Sequence, residues 1–212
     1  MAGVVGRRGS VSVQWGLNML LTLSAHSFRA RLTPKKSGKV AADALNLMDL
    51  PRFTRETLGL YGLNLTTPML AGADLVRLDA LREAADKASC PILVLQETEA
   101  QPFGTEDEDV GNAAIARTLK VVKAAHRLGC NSIAVSVKGP DGDDAFDNAI
   151  ERLKEVLKPA EKLEVNLLLA PFAGMTIEPD RLTDLIKKVG GFRIGTFPNY
   201  FDASKAPDPS LY

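Results

Sequence analysis

The stretch VNLLLAPFAGMT, Val165 to Thr176, opens with an unbroken apolar run that stops at Ala170-Pro171. A run of this length and content reads as a strand of the buried parallel kind, covered on both faces. Working outward from it, five more such runs appear: Leu20 to Phe28, Gly62 to Thr67, Pro91 to Glu97, Ser132 to Val137 and Phe192 to Phe197. Between them lie amphipathic stretches with helical spacing. Leu75, Leu78, Leu81, Ala85 and Ala88 form one stripe, and Ile115, Leu119, Val122 and Leu128 another, the latter ended by Gly129. Phe146, Ile150, Leu153, Leu157, Ala160 and Leu163 make a third. In a fourth helix Pro179 suits the first turn, Leu182, Leu185, Ile186 and Val189 face inward, and Gly190 stops the chain.

Strands alternating with helices imply a parallel sheet joined by right-handed crossovers. Two architectures satisfy this pattern: a (β/α) barrel, which needs eight units, and an open doubly wound sheet. Periodicity alone leaves both open, because the chain carries six strand signals and then the Pro-containing tail FDASKAPDPSLY.

Composition narrows the function classes. The 212 residues are 45% hydrophobic and 25% charged, enough for a sizeable core in one domain. Lys plus Arg and Asp plus Glu are each 26, so there is no dominant basic field and a nucleic-acid partner is disfavoured. Only Cys90 and Cys130 occur, each just ahead of a strand and neither in a CxxC or His-spaced pair. They read as small apolar residues in a reducing cytoplasm, not as zinc ligands. Residues 1–19 carry Arg7 and Arg8 before an apolar run, but Gln14 and Asn18 interrupt it. The segment reads as an extended or disordered lead-in to a domain over 20–212 rather than as a secretory signal, and no membrane partner is expected.

The motif search is mostly negative. Neither GxGxxG nor GxxxxGK(S/T) occurs, which weakens dinucleotide and NTPase readings. No GxSxG elbow occurs either, and only His26 and His126 are available to a Ser-His-Asp arrangement. His126 follows Leu119 and Val122 at helical spacing and reads as packing on or beside the helix's inner face. The three aspartates of KGPDGDDAF, Lys138 to Phe146, fail the calcium-loop spacing and read as helix capping by Asp143 or Asp144. TEDEDV, Thr105 to Val110, reads as a solvated loop that suits the positive start of the next helix.

What remains is a set of polar residues at strand carboxyl ends, where ligands bind in either parallel architecture. His26, Glu97 and Lys138 are the acid or base candidates, and Asn64, Gln96 and Asn199 the substrate-binding ones. For Glu97 and Lys138 a rim salt bridge competes with acid/base chemistry, and for His26 a local structural role does.

Several phrases together resemble one family. SAHSFR, MDLPRFTRETLGLYGLNL, RLGCNSIAV, the helix-to-strand run from Phe146 to Leu169 and DRLTDLIKKVGGFRIGTFPN are similar to the xylose isomerase-like barrels, in particular sugar phosphate isomerases and epimerases. The likeness covers about Leu20 to Asn199. It implies a TIM barrel with about six of its eight units in this chain, and an isomerase or epimerase of carbohydrate metabolism acting on a sugar or polyol. In that family the fifth strand ends in Glu, often followed by Asn-His, and the sixth in Pro-Asp. With a His and a Glu from the last two strands these hold a divalent metal. Here the matching positions are Ala170, Pro171 and Phe172, then Pro198 and Asn199. Alanine cannot coordinate a cation and a neutral amide is a weaker ligand than a carboxylate, so neither a metal nor any other cofactor is expected. The resemblance therefore leaves an isomerase with a departed metal site, a non-catalytic carbohydrate-binding barrel, or a shortened inactive homologue with open edges on its first and sixth strands. A homo-oligomer would cover those edges. Related barrels that cut abasic DNA depend on a dense metal cluster, and the neutral charge and replaced ligands argue against that reading.

Overall fold

A computed structural model of the chain describes residues 20–32 and 44–199. The expectations for residues 1–19 and for the tail after Tyr200 lie outside the described residues. Six strands form one parallel sheet: β1 (Leu23–Ser24), β2 (Leu63–Thr66), β3 (Ile92–Gln96), β4 (Ser132–Ser136), β5 (Asn166–Ala170) and β6 (Ile194–Thr196). Their spatial order is the sequence order, β1 to β6, with every neighbouring pair parallel. A doubly wound sheet reverses direction at a switch point. No reversal occurs here, so every crossover turns the same way and the barrel topology is selected over the open one.

The helices are α1 (Arg29–Leu32), α2 (Leu50–Glu56), α3 (Leu75–Lys87), α4 (Glu108–Leu128), α5 (Asp143–Lys162) and α6 (Pro179–Val189). Their starts follow from local chemistry. The Asp74 carboxylate caps α3 by accepting from the Arg77 amide at 2.8 Å, and Asp107 caps α4 by accepting from Val110 at 3.0 Å. Thr105 to Val110 is thus less a loop than a helix start, with Glu108 and Asp109 already in the first turn. For α5 the cap is Gly142, and Asp143 and Asp144 sit inside the first turn, where they favour the helix's positive end without capping it.

Helix ends repeat one device. The amides of Cys90, Cys130 and Val165 each reach back to the carbonyl five residues earlier, Ala85, Ala125 and Ala160, at 3.0, 2.9 and 2.9 Å. The residue before each takes a left-handed conformation: Ser89 at φ 50°, Gly129 at 76° and Glu164 at 58°. This is the Schellman stop, in which a buried apolar residue follows the left-handed one. It explains why both cysteines stand where they do, and all three following residues are buried.

Packing of the sheet is tightest on the helix side. Leu63, Leu65, Ile92, Leu95, Ile133, Val135, Leu167 and Leu169 are buried against the helices. By the two-residue period, Asn64, Gln96, Ser136, Asn166, Leu168 and Ala170 point to the opposite, inner face, where they are only partly buried. The expected burial on both faces holds at the inner-face Thr66, Ser132 and Ala134, and gives way to partial burial at the rim and along β5. Two further expectations are corrected. The first strand does not run to Phe28, because after Ser24 the chain coils into a 3-10 turn, Ala25–Phe28, and then α1. This turn brings Phe28 edge-on to Phe53 of α2 at 5.5 Å, with the Arg31 guanidinium over both rings. Leu75, expected on α3's inner stripe, is 62% exposed in the helix's first turn, ahead of the buried Leu78 and Leu81.

Candidate ligand site at the carboxyl ends of the strands

Because all six strands are parallel, their carboxyl ends share one edge of the sheet. The inner-face residue closest to that end is Ser24 in β1, Thr66 in β2, Gln96 in β3, Ser136 in β4 and Ala170 in β5. Register confirms the shared face: Thr66 lies opposite Gln96, Gln96 opposite Ala134, and Ser136 opposite Ala170. One layer lower, the Asn64 amide donates to Thr22 Oγ1 at 3.1 Å, while its Oδ1 is buried with no partner among the described residues. Further round, Asn166 Nδ2 donates to Ser132 Oγ at 3.2 Å, and Arg193 donates to Asn166 Oδ1 and to the Glu164 carbonyl, each at 3.2 Å. The inner face is thus a ladder of hydroxyls and amides.

The loops above this edge are tied to one another. Gln101 pairs with the β4 end through its amide to the Ser136 carbonyl and its carbonyl to the Lys138 amide, both 2.8 Å. Arg152 of α5 donates to the carbonyls of Phe103 and Thr105 at 2.7 and 2.6 Å. Gly104, Gly139 and Met175, one from each of three successive strand-to-helix loops, meet so closely that a Cβ on Gly139 would lie 2.7 Å from Met175 Cε and 2.8 Å from Gly104 Cα.

The six residues singled out by sequence do not converge. Gln96 ends β3 on the inner face, at the rim. Asn64 is second in its strand, below the rim position held by Thr66. His26 is exposed in the turn after β1, and Lys138 is exposed just past β4. Asn199 is exposed three residues beyond β6. Glu97 follows Gln96 and therefore points the other way, into the helix layer. There its Oε1 accepts from the Thr67 hydroxyl at 2.9 Å and the Glu99 amide at 3.2 Å, and its Oε2 accepts from Arg117 Nε at 2.7 Å and lies 2.7 Å from Nη2 in the same ion pair. The Glu97 side chain is 1% exposed and that of Arg117 50%. This is the rim ion pair of the sequence reading, turned outward. His126 is exposed on α4 and its Nδ1 lies 3.0 Å from the Leu163 carbonyl, so it joins α4 to the end of α5 instead of packing inward.

Sequence reasoning passed over Ser24, Thr66 and Ser136 at the rim and Arg117 behind it. The signal was present as period-two polarity, Asn64 with Thr66 and Ser132 with Ser136, inside runs read only for their apolar content. As a metal centre the edge does not fit. Its inner face offers hydroxyls and amides where a hard divalent cation needs carboxylates, Ala170 offers nothing, and among the described residues no three His, Cys, Asp or Glu side chains gather. Cys130 is equally removed from chemistry, since burial pushes its thiol up to about 12.

A singly wound parallel α/β sheet with its polar edge at the strand carboxyl ends defines a TIM-barrel-type protein. More narrowly, residues 56–210 match the family model of the xylose isomerase-like TIM barrel, and the chain belongs to that family. Among solved structures it is similar to L-ribulose 3-epimerase, with a TM-score of 0.72 and 12% identity over 88% of this chain and 62% of that one. D-psicose 3-epimerase from Clostridium cellulolyticum H10, crystallised with D-tagatose, superposes with a TM-score of 0.65 and 17% identity over 74% of this chain and 58% of that one. The probable 3-DHS dehydratase AsbF of Bacillus anthracis gives a TM-score of 0.68 and 12% identity, covering 87% and 64%. The chain spans about three fifths of the length of these structures. No curated protein matches the sequence. Identities this low establish the shared fold. No helix among the described residues is long and apolar enough to cross a membrane.

Proposed function

We propose that this chain is a sugar isomerase or epimerase-type barrel that binds a carbohydrate or polyol at the carboxyl edge of its sheet, through hydroxyls and amides and without the family's divalent metal. The carrying observation is the inner-face sequence Ser24, Thr66, Gln96 and Ser136, a row of neutral donors and acceptors suited to hydroxyl groups. The solved epimerases whose descriptions name D-tagatose and D-fructose support the ligand class. Buried, unpaired Cys90 and Cys130 support a reducing, cytoplasmic setting.

Titration calorimetry with D-tagatose, D-fructose and their phosphates tests the reading. Gln96→Ala is expected to weaken the best ligand about fivefold, the worth of one or two neutral hydrogen bonds. Binding that is absent across the panel, or that ignores Gln96→Ala and Ser136→Ala alike, would sink it. Catalysis is the second arm. Glu97 is committed to Arg117, so of the acid and base candidates His26 and Lys138 are the ones with side chains at the surface. Deuterium uptake by a bound ketose in D₂O that falls in His26→Ala or Lys138→Ala supports turnover, whereas sugar binding with no exchange assigns a non-catalytic binding barrel.

A further inference from the structure

The β2–β3 ladder ends at the pair Thr66 and Gln96, each the last residue of its strand and both on the inner rim. One residue further the two strands stay joined by side chains, because the Thr67 hydroxyl donates to Glu97 Oε1 at 2.9 Å. The same oxygen accepts the Glu99 amide at 3.2 Å, and Oε2 accepts Arg117 Nε at 2.7 Å with Nη2 in the ion pair. A single carboxylate thus joins the end of β2, the loop after β3 and α4.

Two features give this junction a role beyond joining the layers. The first is its composition. A buried ion pair adds little net stability over apolar side chains of similar volume, because both charges lose water. Glu97 is nevertheless kept beside the buried Leu78, Leu95 and Val121, with which it shares a cavity wall. The second is the state of Gln96. Its half-buried amide has no hydrogen-bond partner among the described residues, so its backbone and packing alone set where its donors and acceptor point. Glu97 is the next residue along that backbone. Toward β4 its amide donates to the Ala134 carbonyl at 2.8 Å, and toward β2 the bond to Thr67 is what holds it beyond the last ladder pair.

We propose that Glu97 is a positioning residue for the rim. Held by Thr67 and Arg117, it fixes the backbone beside Gln96 and so aims the Gln96 amide at a ligand hydroxyl without touching the ligand. The inference rests on the sugar reading of the strand edge, which supplies that ligand.

Thr67→Val carries the test, since it keeps the side chain's shape, removes its hydroxyl and leaves the ion pair intact. By titration calorimetry it is expected to weaken the best sugar about threefold, less than the loss of the Gln96 amide itself, and Thr67→Ser to restore binding. In a Gln96→Ala background the same change should have no effect, because the clamp acts through that amide. Glu97→Leu combined with Arg117→Met replaces the pair by apolar side chains. It should keep the urea midpoint near that of the wild type while weakening the sugar, a separation that a purely structural role would not give. The side-chain amide signals of Gln96 in nitrogen-edited NMR need no sugar. They are expected to shift or broaden in Thr67→Val and to return in Thr67→Ser. A wild type that binds no sugar would refute the ligand reading, and these signals would then decide the clamp alone. Gln96 signals unchanged by Thr67→Val, or an affinity loss as large with Gln96→Ala as without it, would overturn the proposal.

Discussion

The two faces of the sheet follow opposite rules, although the same strands supply both. Toward the helices the positions of β2 to β5 are mostly aliphatic and buried, and the acidic group there, Glu97, accepts three hydrogen bonds and is ion-paired to Arg117. Toward the inner side, hydroxyls and amides are mixed with apolar residues, burial falls toward the rim, and Asn64 Oδ1 has no partner among the described residues. The first face holds the fold together and the second is where a ligand can be recognised. A polar residue at a strand end is thus informative only once its side is known, and one step along the chain, from Gln96 to Glu97, changes the role from rim to clamp.

Adjacent leucines of β5 give the sharpest test of this division. Leu167 is fully buried on the helix side, while Leu168 is partly buried on the inner side. Leu167→Ala is expected to cost about 3–4 kcal/mol, the usual toll of a cavity in a closed core, and Leu168→Ala about 1 kcal/mol. Urea unfolding of both variants measures the difference, and equal losses would break the comparison. The clamp comes next. Arg117→Met leaves a buried carboxylate without its cationic partner and is expected to cost about 3 kcal/mol, the low end for breaking a buried pair because Arg117 is half exposed. Gly139→Ala should then cost about 1–3 kcal/mol, since its Cβ would meet the backbone of Gly104 as well as Met175. Adding Met175→Ala would restore only part, as the Gly104 contact at 2.8 Å stays.

Cys130 sharpens the helix-side rule through pH. Burial raises its thiol from 9.0 to about 12 in the folded chain, so the folded state holds the proton more tightly than the unfolded state. Its contribution is complete below pH 9.0 and is lost progressively as pH rises toward about 12. The wild type should therefore lose stability between pH 8.5 and 10.5 by more than Cys130→Ala does, read as the change in urea midpoint. Thiol reagents at pH 8 should leave Cys130 unmodified until the chain unfolds.

Strands and helices were legible because parallel sheets write long apolar runs and helices write stripes. All six strands fall within the stretches read from sequence, and α3 to α6 begin and end at residues whose capping chemistry is local. The first strand was overread because Ala25 and Phe28 prolong the apolar run begun at Leu20, whereas the packing of Phe28 on Phe53 that accompanies the turn is distant in sequence. Site residues were harder for the same reason. Gln96 was found at the rim, but Thr66 and Ser136 were hidden inside apolar runs, and the side on which Glu97 points depends on a bulge between β2 and β3 that no local pattern announces.

The three Schellman stops differ in one atom group, which makes the smallest effect the cleanest to interpret. Gly129 meets the left-handed requirement without strain, whereas Ser89 and Glu164 reach φ 50° and 58° with a Cβ that crowds the following carbonyl. The hydrogen bond back to the alanine carbonyl is the same length at Cys130 and Val165, so geometry is held constant while the strained residue changes. Glu164→Gly removes the crowding but loosens the unfolded chain, and the two effects oppose each other. Crowding in the left-handed region is worth about 1–2 kcal/mol and the added chain entropy about 0.5–1 kcal/mol. The net gain is expected to be about 0.5 kcal/mol, visible as a higher urea midpoint with an unchanged slope. The reciprocal Gly129→Ala should lose about 1 kcal/mol, because it introduces the same crowding where none exists. If Glu164→Gly instead destabilised the chain, its side chain would be contributing more than its backbone costs, and the equivalence of the three helix ends would fail.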